Sequence, residues 1–89
     1  MQVEVLLFGR PRELAGTSRE MISVGRTGRL ADLFGLLGGK YGEEFANELR
    51  HTERLIVFVN GRDYRTVGGL DMSLADSDTV AILPVVTGG

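Results

Sequence analysis

Cysteine is absent from this 89-residue chain, which removes disulfides, thiolate metal ligands and thiol nucleophiles together. If the protein handles sulfur or acyl groups, no side chain carries them. Histidine occurs once, at His51, between charged stretches and with no second histidine or nucleophile nearby; a general base needs geometry that nothing here supplies, so His51 reads as a surface residue. Long apolar runs are missing too. The longest early one, Val5-Leu6-Leu7-Phe8, lacks a basic leader and is far too short for a signal peptide or a spanning helix, so a soluble, cytoplasmic protein is expected. Neither sign of charge dominates: ten basic and twelve acidic side chains give a formal charge of -2, which favours neither nucleic acid nor an anionic membrane. Carboxylates and hydroxyls form no spaced constellation, so intrinsic catalysis and metal binding are not expected.

What is present fits one small domain, 43% hydrophobic and 25% charged, a size that buries a little over ~60% of its extended-chain surface. Its most informative feature is the ending Pro84-Val85-Val86-Thr87-Gly88-Gly89. Val80, Ile82 and Leu83 read as a core strand that Pro84 stops, so residues 1–84 are expected to form the domain and 85–89 a flexible tail. An α-carboxyl group has a pKa near ~3.5, so Gly89 presents a carboxylate at neutral pH. Two terminal glycines remove the Cβ atoms that would hinder entry into a narrow channel. Five residues beyond Pro84 reach at most ~18 Å, enough to enter a buried site while the domain stays outside.

Along the chain, Val3 to Phe8 alternate as an opening strand, with Val3, Val5 and Leu7 on one face and Glu4, Leu6 and Phe8 on the other. Arg10 to Gly16 reads as a short helical turn, and Ser18 to Val24 as a second strand in which Met21 and Ile22 cannot both face the core. Leu30, Leu33, Phe34, Leu37 and Tyr41 then form the apolar stripe of a helix, with Thr27 placed to cap it. Gly38-Gly39 weaken its far end, and Glu43 to Leu49 reads as another short helix. Leu55 to Val59 is the strongest strand, stopped by the turn pair Asn60-Gly61. Tyr64 to Val67 is expected to pair back as an edge strand, and Gly68-Gly69 to make a turn before the last strand, Thr79 to Leu83. This order predicts an α+β fold of the ubiquitin-like β-grasp kind: a mixed sheet whose first and last strands lie parallel at its centre, with one main helix across one face as the crossover.

Alternation also defines a docking surface. If Val5, Leu7, Val57, Val59, Val80 and Ile82 face the helix, then Leu6, Phe8, Ile56, Phe58 and Leu83 share the opposite face with Ala81. With only one obvious helix to cover the sheet, that apolar patch reads as a binding site. Arg10, Arg12 and Arg62 read as a solvated face.

The segment Phe8-Gly9-Arg10-Pro11-Arg12-Glu13-Leu14-Ala15-Gly16, the turn Val59-Asn60-Gly61 and the ending from Leu74 to Gly89 resemble the small subunit of molybdopterin synthase and, more broadly, the β-grasp sulfur carriers. Two local differences stand out. Pro84 is followed by Val85 where the family ending often has two prolines, and the stretch from Arg62 to Met72 is longer than in the bacterial form. The resemblance implies a carrier, not a catalyst. A ubiquitin-activating-type enzyme would use ATP and Mg to adenylate the Gly89 carboxylate, and a sulfur donor would convert it to a thiocarboxylate. Gly88, Thr87 and Val86 would thread the tail into the partner, and residues matching Phe8 and Leu83 would contact it. The large subunit of molybdopterin synthase would bring the catalytic lysines and bind the pterin. No cofactor is expected on this chain. Sulfur transfer to tRNA or in thiamine synthesis, conjugation of Gly89 to target lysines as a protein modifier, and a plain interaction domain stay open as alternatives.

Overall fold

A computed structural model describes residues 1–25 and 28–85. Its elements are β1 (Gln2–Leu7), α1 (Gly9–Ala15), β2 (Arg19–Ser23), α2 (Leu30–Tyr41), α3 (Glu43–Arg50), β3 (Leu55–Val59), β4 (Arg62–Asp63) and β5 (Thr79–Pro84), with short 3-10 turns at Thr52–Arg54, Tyr64–Thr66 and Gly69–Asp71. One five-stranded sheet runs in the order β2-β1-β5-β3-β4. β1 and β5 lie side by side and parallel, Val5 opposite Val80 and Leu7 opposite Ile82; every other pairing is antiparallel. This is the ubiquitin-like β-grasp.

Alternation in the strands and the stripe of α2 converge on one core. Val3, Val5 and Leu7 are fully buried, as are Val80, Ile82, Leu30, Leu33 and Leu37, so the helix lies over the face that the odd residues of β1 present. Phe34 and Tyr41, at the margins of the stripe, are partly buried against that core. Ile22 takes the inward position of β2 and Met21 the outward one. α3 adds the fully buried Phe45, whose ring centroid lies 5.1 Å from that of Tyr41. Gly38 lets α2 and α3 approach, since a Cβ there would stand 3.0 Å from the Ala46 Cβ.

Three local expectations change. The start of α2 lies at Arg29, whose N–H donates to the Asp32 carboxylate at 2.9 Å; Thr27, the expected cap, lies outside the described residues. The helix runs through Gly38 and Gly39 to Tyr41, the last residue of the expected stripe. Tyr64 to Val67 is not a strand. Asn60 (φ 52) and Gly61 (φ 83) return the chain as a two-residue hairpin turn, but β4 ends after Asp63, whose carboxylate accepts the Arg65 N–H at 3.0 Å and winds a 3-10 turn that buries Tyr64. The longer Arg62 to Met72 stretch then straps the start of α2, with the Leu30 N–H donating to the Met72 carbonyl at 3.1 Å and the Leu74 N–H to the Gly28 carbonyl at 2.9 Å.

Pro84, finally, does not stop β5. It pairs with Leu55, and the Val85 N–H donates to the Arg54 carbonyl at 2.9 Å. Proline is tolerated because the amide it lacks would point to the side of β1, which has already ended at Leu7.

Candidate functional site

On the face of the sheet turned away from α2, the register brings the predicted patch together. Leu6 lies opposite Ala81, and across β5 Phe58 also lies opposite Ala81, while Ile56 lies opposite Leu83. Leu6, Ile56, Phe58, Ala81 and Leu83 are all partly exposed, as expected for a face without a covering layer. Phe8 completes the group at 41% exposed; its N–H donates to the Ile82 carbonyl at 3.1 Å, which continues the β1–β5 ladder by one step. Ala81, the smallest side chain, sits between Leu6 and Phe58, so the patch is lower at its middle than along its sides. All five residues proposed from the alternation therefore share one face.

The same face changes character along the strands. Away from the patch, Glu4 is paired with Arg19 and accepts from Thr79 Oγ1 at 3.3 Å; the Arg19 hydrogen bond holds its carboxyl below the usual range. Asp63, opposite Phe58, takes a bidentate grip from Arg65, with Nε at 3.1 Å and Nη2 at 2.8 Å. That side-chain bond, with the Arg65 backbone N–H, lowers its pKa from 3.8 to about 2. Charges are thus satisfied locally at one end, leaving an apolar end nearest Pro84.

Two residues that anchor the base of the tail escaped the pattern of alternation. Gly9 (φ +60) lies so near Pro84 that a Cβ on it would stand 2.5 Å from the proline Cγ. A glycine at the joint between a strand and a helix was the available signal. Arg54 contributes only its carbonyl, and nothing in a side chain announces that role. Val86, Thr87, Gly88 and Gly89 lie outside the described residues.

Other candidates do not converge. Arg10 is engaged with Glu13 at 3.8 Å and Glu44 at 3.7 Å, and Arg12 and Arg62 are exposed at separate places. His51 Nδ1 lies 3.3 Å from Glu53 Oε1, with no nucleophile beside it. Among the described residues no group of three or more His, Cys, Asp or Glu side chains could hold a metal ion, and no helix is long and apolar enough to cross a membrane. A hollow of about 530 Å³ between α2 and α3 is apolar and lies on the helical side, away from the patch.

Residues 5–89 of the sequence match the ThiS family. The chain belongs to the ThiS family. Among ThiS-like proteins, the sulfur carrier protein CysO of Mycobacterium tuberculosis is 52% identical over 33 residues, 37% of this chain and 36% of that protein. The chain therefore spans about a third of the length of the curated relatives it matches. The small archaeal modifier protein 1 of Methanosarcina acetivorans has the same fold at a TM-score of 0.77 and 30% identity, covering 99% of this chain and 96% of that one. In the complex of subunits 1 and 2 of the molybdopterin-converting factor from Helicobacter pylori, a chain covered completely on both sides matches at a TM-score of 0.65 and 25% identity.

Proposed function

We propose that this ThiS-family chain is a sulfur carrier that works through its terminal backbone atoms, with Gly89 as the reacting residue. The observation that carries the reading is the apolar patch of Leu6, Phe8, Ile56, Phe58 and Leu83 beside the end of β5. A partner seated there stands next to the point where the tail leaves the sheet.

A ubiquitin-activating-type enzyme supplies ATP and Mg²⁺. A Gly89 carboxylate oxygen attacks the α-phosphorus, pyrophosphate leaves, and an acyl-adenylate results. Hydrosulfide-level sulfur delivered by a donor on the partner side then attacks the carbonyl carbon; the new C–S bond replaces the C–O bond to AMP, which leaves, and loss of the S–H proton to solvent gives a thiocarboxylate on Gly89 with no change of oxidation state. Catalytic groups for these steps belong to the partners. This chain binds through the patch, threads Val86, Thr87 and Gly88 into the partner, and carries on Gly89 the sulfur that no cysteine could. In this scheme the reach of the tail begins after Val85, whose N–H is held by the Arg54 carbonyl.

As acceptor we propose the large subunit of a molybdopterin synthase, a reading supported by the likeness to a molybdopterin-converting factor that pairs a small subunit with a second one. Likeness to a small archaeal modifier protein supports a second reading, in which Gly89 is joined to lysines of other proteins. Intact-protein mass spectrometry of the chain from its own cells separates them. Replacement of one oxygen by sulfur on the peptide ending in Gly89 is expected of the carrier, a branched peptide on a foreign lysine of the modifier, and a plain carboxylate under every growth condition, molybdate demand included, would overturn both.

A further inference from the structure

The two edges of the sheet are protected unequally. β4 is only two residues long and passes directly into a 3-10 turn. β2 offers five residues. Its ladder with β1 uses Ser18, Glu20, Ile22 and Val24: the Leu7 N–H donates to the Ser18 carbonyl at 2.9 Å and the Val24 N–H to the Met1 carbonyl at 2.8 Å, with Val5 opposite Glu20 and Val3 opposite Ile22 between them. By the alternation of an antiparallel pair, the N–H and C=O groups of Arg19, Met21 and Ser23 point away from the sheet. The Thr17 hydroxyl occupies those of Arg19, donating to its carbonyl at 3.0 Å. Met21 and Ser23 keep theirs directed outward, a template for another strand.

The surroundings of that edge are unusual for one meant to stay in water. Met21 on the sheet face is 45% exposed, and Leu36, on the helix beside the edge, is 46% exposed. The charge on the inward side of the strand, Glu20, is neutralised by Lys40 Nζ at 2.8 Å, so it does not repel an incoming strand. That bond also fixes how α2 lies along β2. Lys40 stands level with Glu20, while Asp32 and Leu36 line a shallow hollow shared with Val24 and Gly25. Asp32, Leu36 and Lys40, four residues apart, form a single stripe, apolar in the middle and closed at the Glu20 end by the Lys40–Glu20 ion pair.

We propose that β2 pairs with β2 of a second copy of this chain, antiparallel about a twofold axis at Ile22. That register places Met21 opposite the partner's Ser23 and Ser23 opposite the partner's Met21, so every outward amide left free by Thr17 finds a complement. The same axis brings Leu36 towards its own counterpart, and the charge at the Glu20 end, already paired with Lys40, sets up no repulsion across the seam. An edge whose apolar centre and free amides are related by a twofold is complementary to itself. The product is a continuous ten-stranded sheet, and the apolar patch stays open on each copy because its residues lie on or next to β1, β5 and β3, with β2 between them and the new seam.

Sedimentation equilibrium of the full chain from roughly 10 µM to 1 mM, the range of weak association, is expected to show a mass rising from 9.7 kDa to twice that value. Over the same range, amide hydrogen exchange at Met21 and Ser23 slows. Met21→Pro removes one outward N–H without touching the β1 ladder, and Leu36→Lys sets like charges together at the axis; each returns the mass to 9.7 kDa at concentrations where the parent is dimeric. Should Met21→Pro fail to fold, Leu36→Lys, on an exposed helix face, still decides. A monomer at every concentration, unslowed amides at Met21 and Ser23, or a dimer that survives Leu36→Lys would each overturn the proposal, the first in favour of a foreign extended segment or of no partner at this edge.

Discussion

Gly9 and Pro84 touch at the place where the first strand ends and the tail begins, with room for a hydrogen on Gly9 but not for a methyl group. Gly9 also holds a left-handed backbone (φ +60), which costs other residues about 1–2 kcal/mol. Gly9→Ala is therefore expected to lower stability by at least that amount, a fall in Tm of about 4–8 °C per kcal/mol in a domain of this size. Calorimetry checks the first effect. Displacement of Pro84, read from loss of protection at the Val85 amide, checks the second.

Phe8→Arg and Leu83→Arg put a charge on the exposed patch while leaving the core untouched, so stability should change by no more than about 0.5 kcal/mol. Activation by the adenylating partner should fall at least tenfold, measured as ATP–pyrophosphate exchange against carrier concentration. An unchanged rate in both variants would show that the partner docks elsewhere.

Removing Gly88 and Gly89 should abolish exchange altogether and leave Tm where it was. A truncated chain that melts several degrees lower would assign the tail a structural part instead.

The Asp63–Arg65 pair makes acid stability testable at one residue. The folded pKa of Asp63 is lowered from 3.8 to about 2, chiefly by the Arg65 side chain, so its contribution is present above pH ~4 and disappears as pH falls towards about 2. Asp63→Asn keeps an acceptor for the Arg65 N–H but has no charge to lose. Its Tm should therefore fall less steeply than the parent's between those two pH values, and the Asp63 carboxyl signal followed by NMR should titrate at about 2.

Phe45 is the largest fully buried side chain and joins α3 to the core beneath Tyr41. Phe45→Ala should cost about 3–5 kcal/mol, a large part of the 5–15 kcal/mol of a typical domain. Urea denaturation should show a markedly lower midpoint with the slope unchanged.

Much of this was legible in the chain because two periods do most of the specifying. The alternation of Val3, Val5 and Leu7 against Leu6 and Phe8 fixed both the core and the patch, and the spacing of Leu30, Leu33 and Leu37 fixed the buried side of α2. What escaped depends on partners distant in sequence. Tyr64 to Val67 has strand-like composition, but Asp63 captures the Arg65 amide and winds the turn. Pro84 looks like a stop until β1 is seen to have ended on the side where its amide is missing. The hold of the Arg54 carbonyl on Val85 involves no side chain and leaves no mark in the sequence.

The seating of β5 between β1, to which it is parallel, and β3, to which it is antiparallel, also constrains folding in time. Neither of the two flanking strands has its central neighbour until residues 79–84 have been made, so closing the sheet requires contacts across nearly the whole chain, and such topologies fold slowly for their size. During synthesis the sheet stays split into two halves, and the apolar face of Leu6, Phe8, Ile56 and Phe58 does not yet exist as one surface. A partner that recognises this face therefore selects for chains that have been translated through β5 and have folded, and incomplete products offer it nothing to hold.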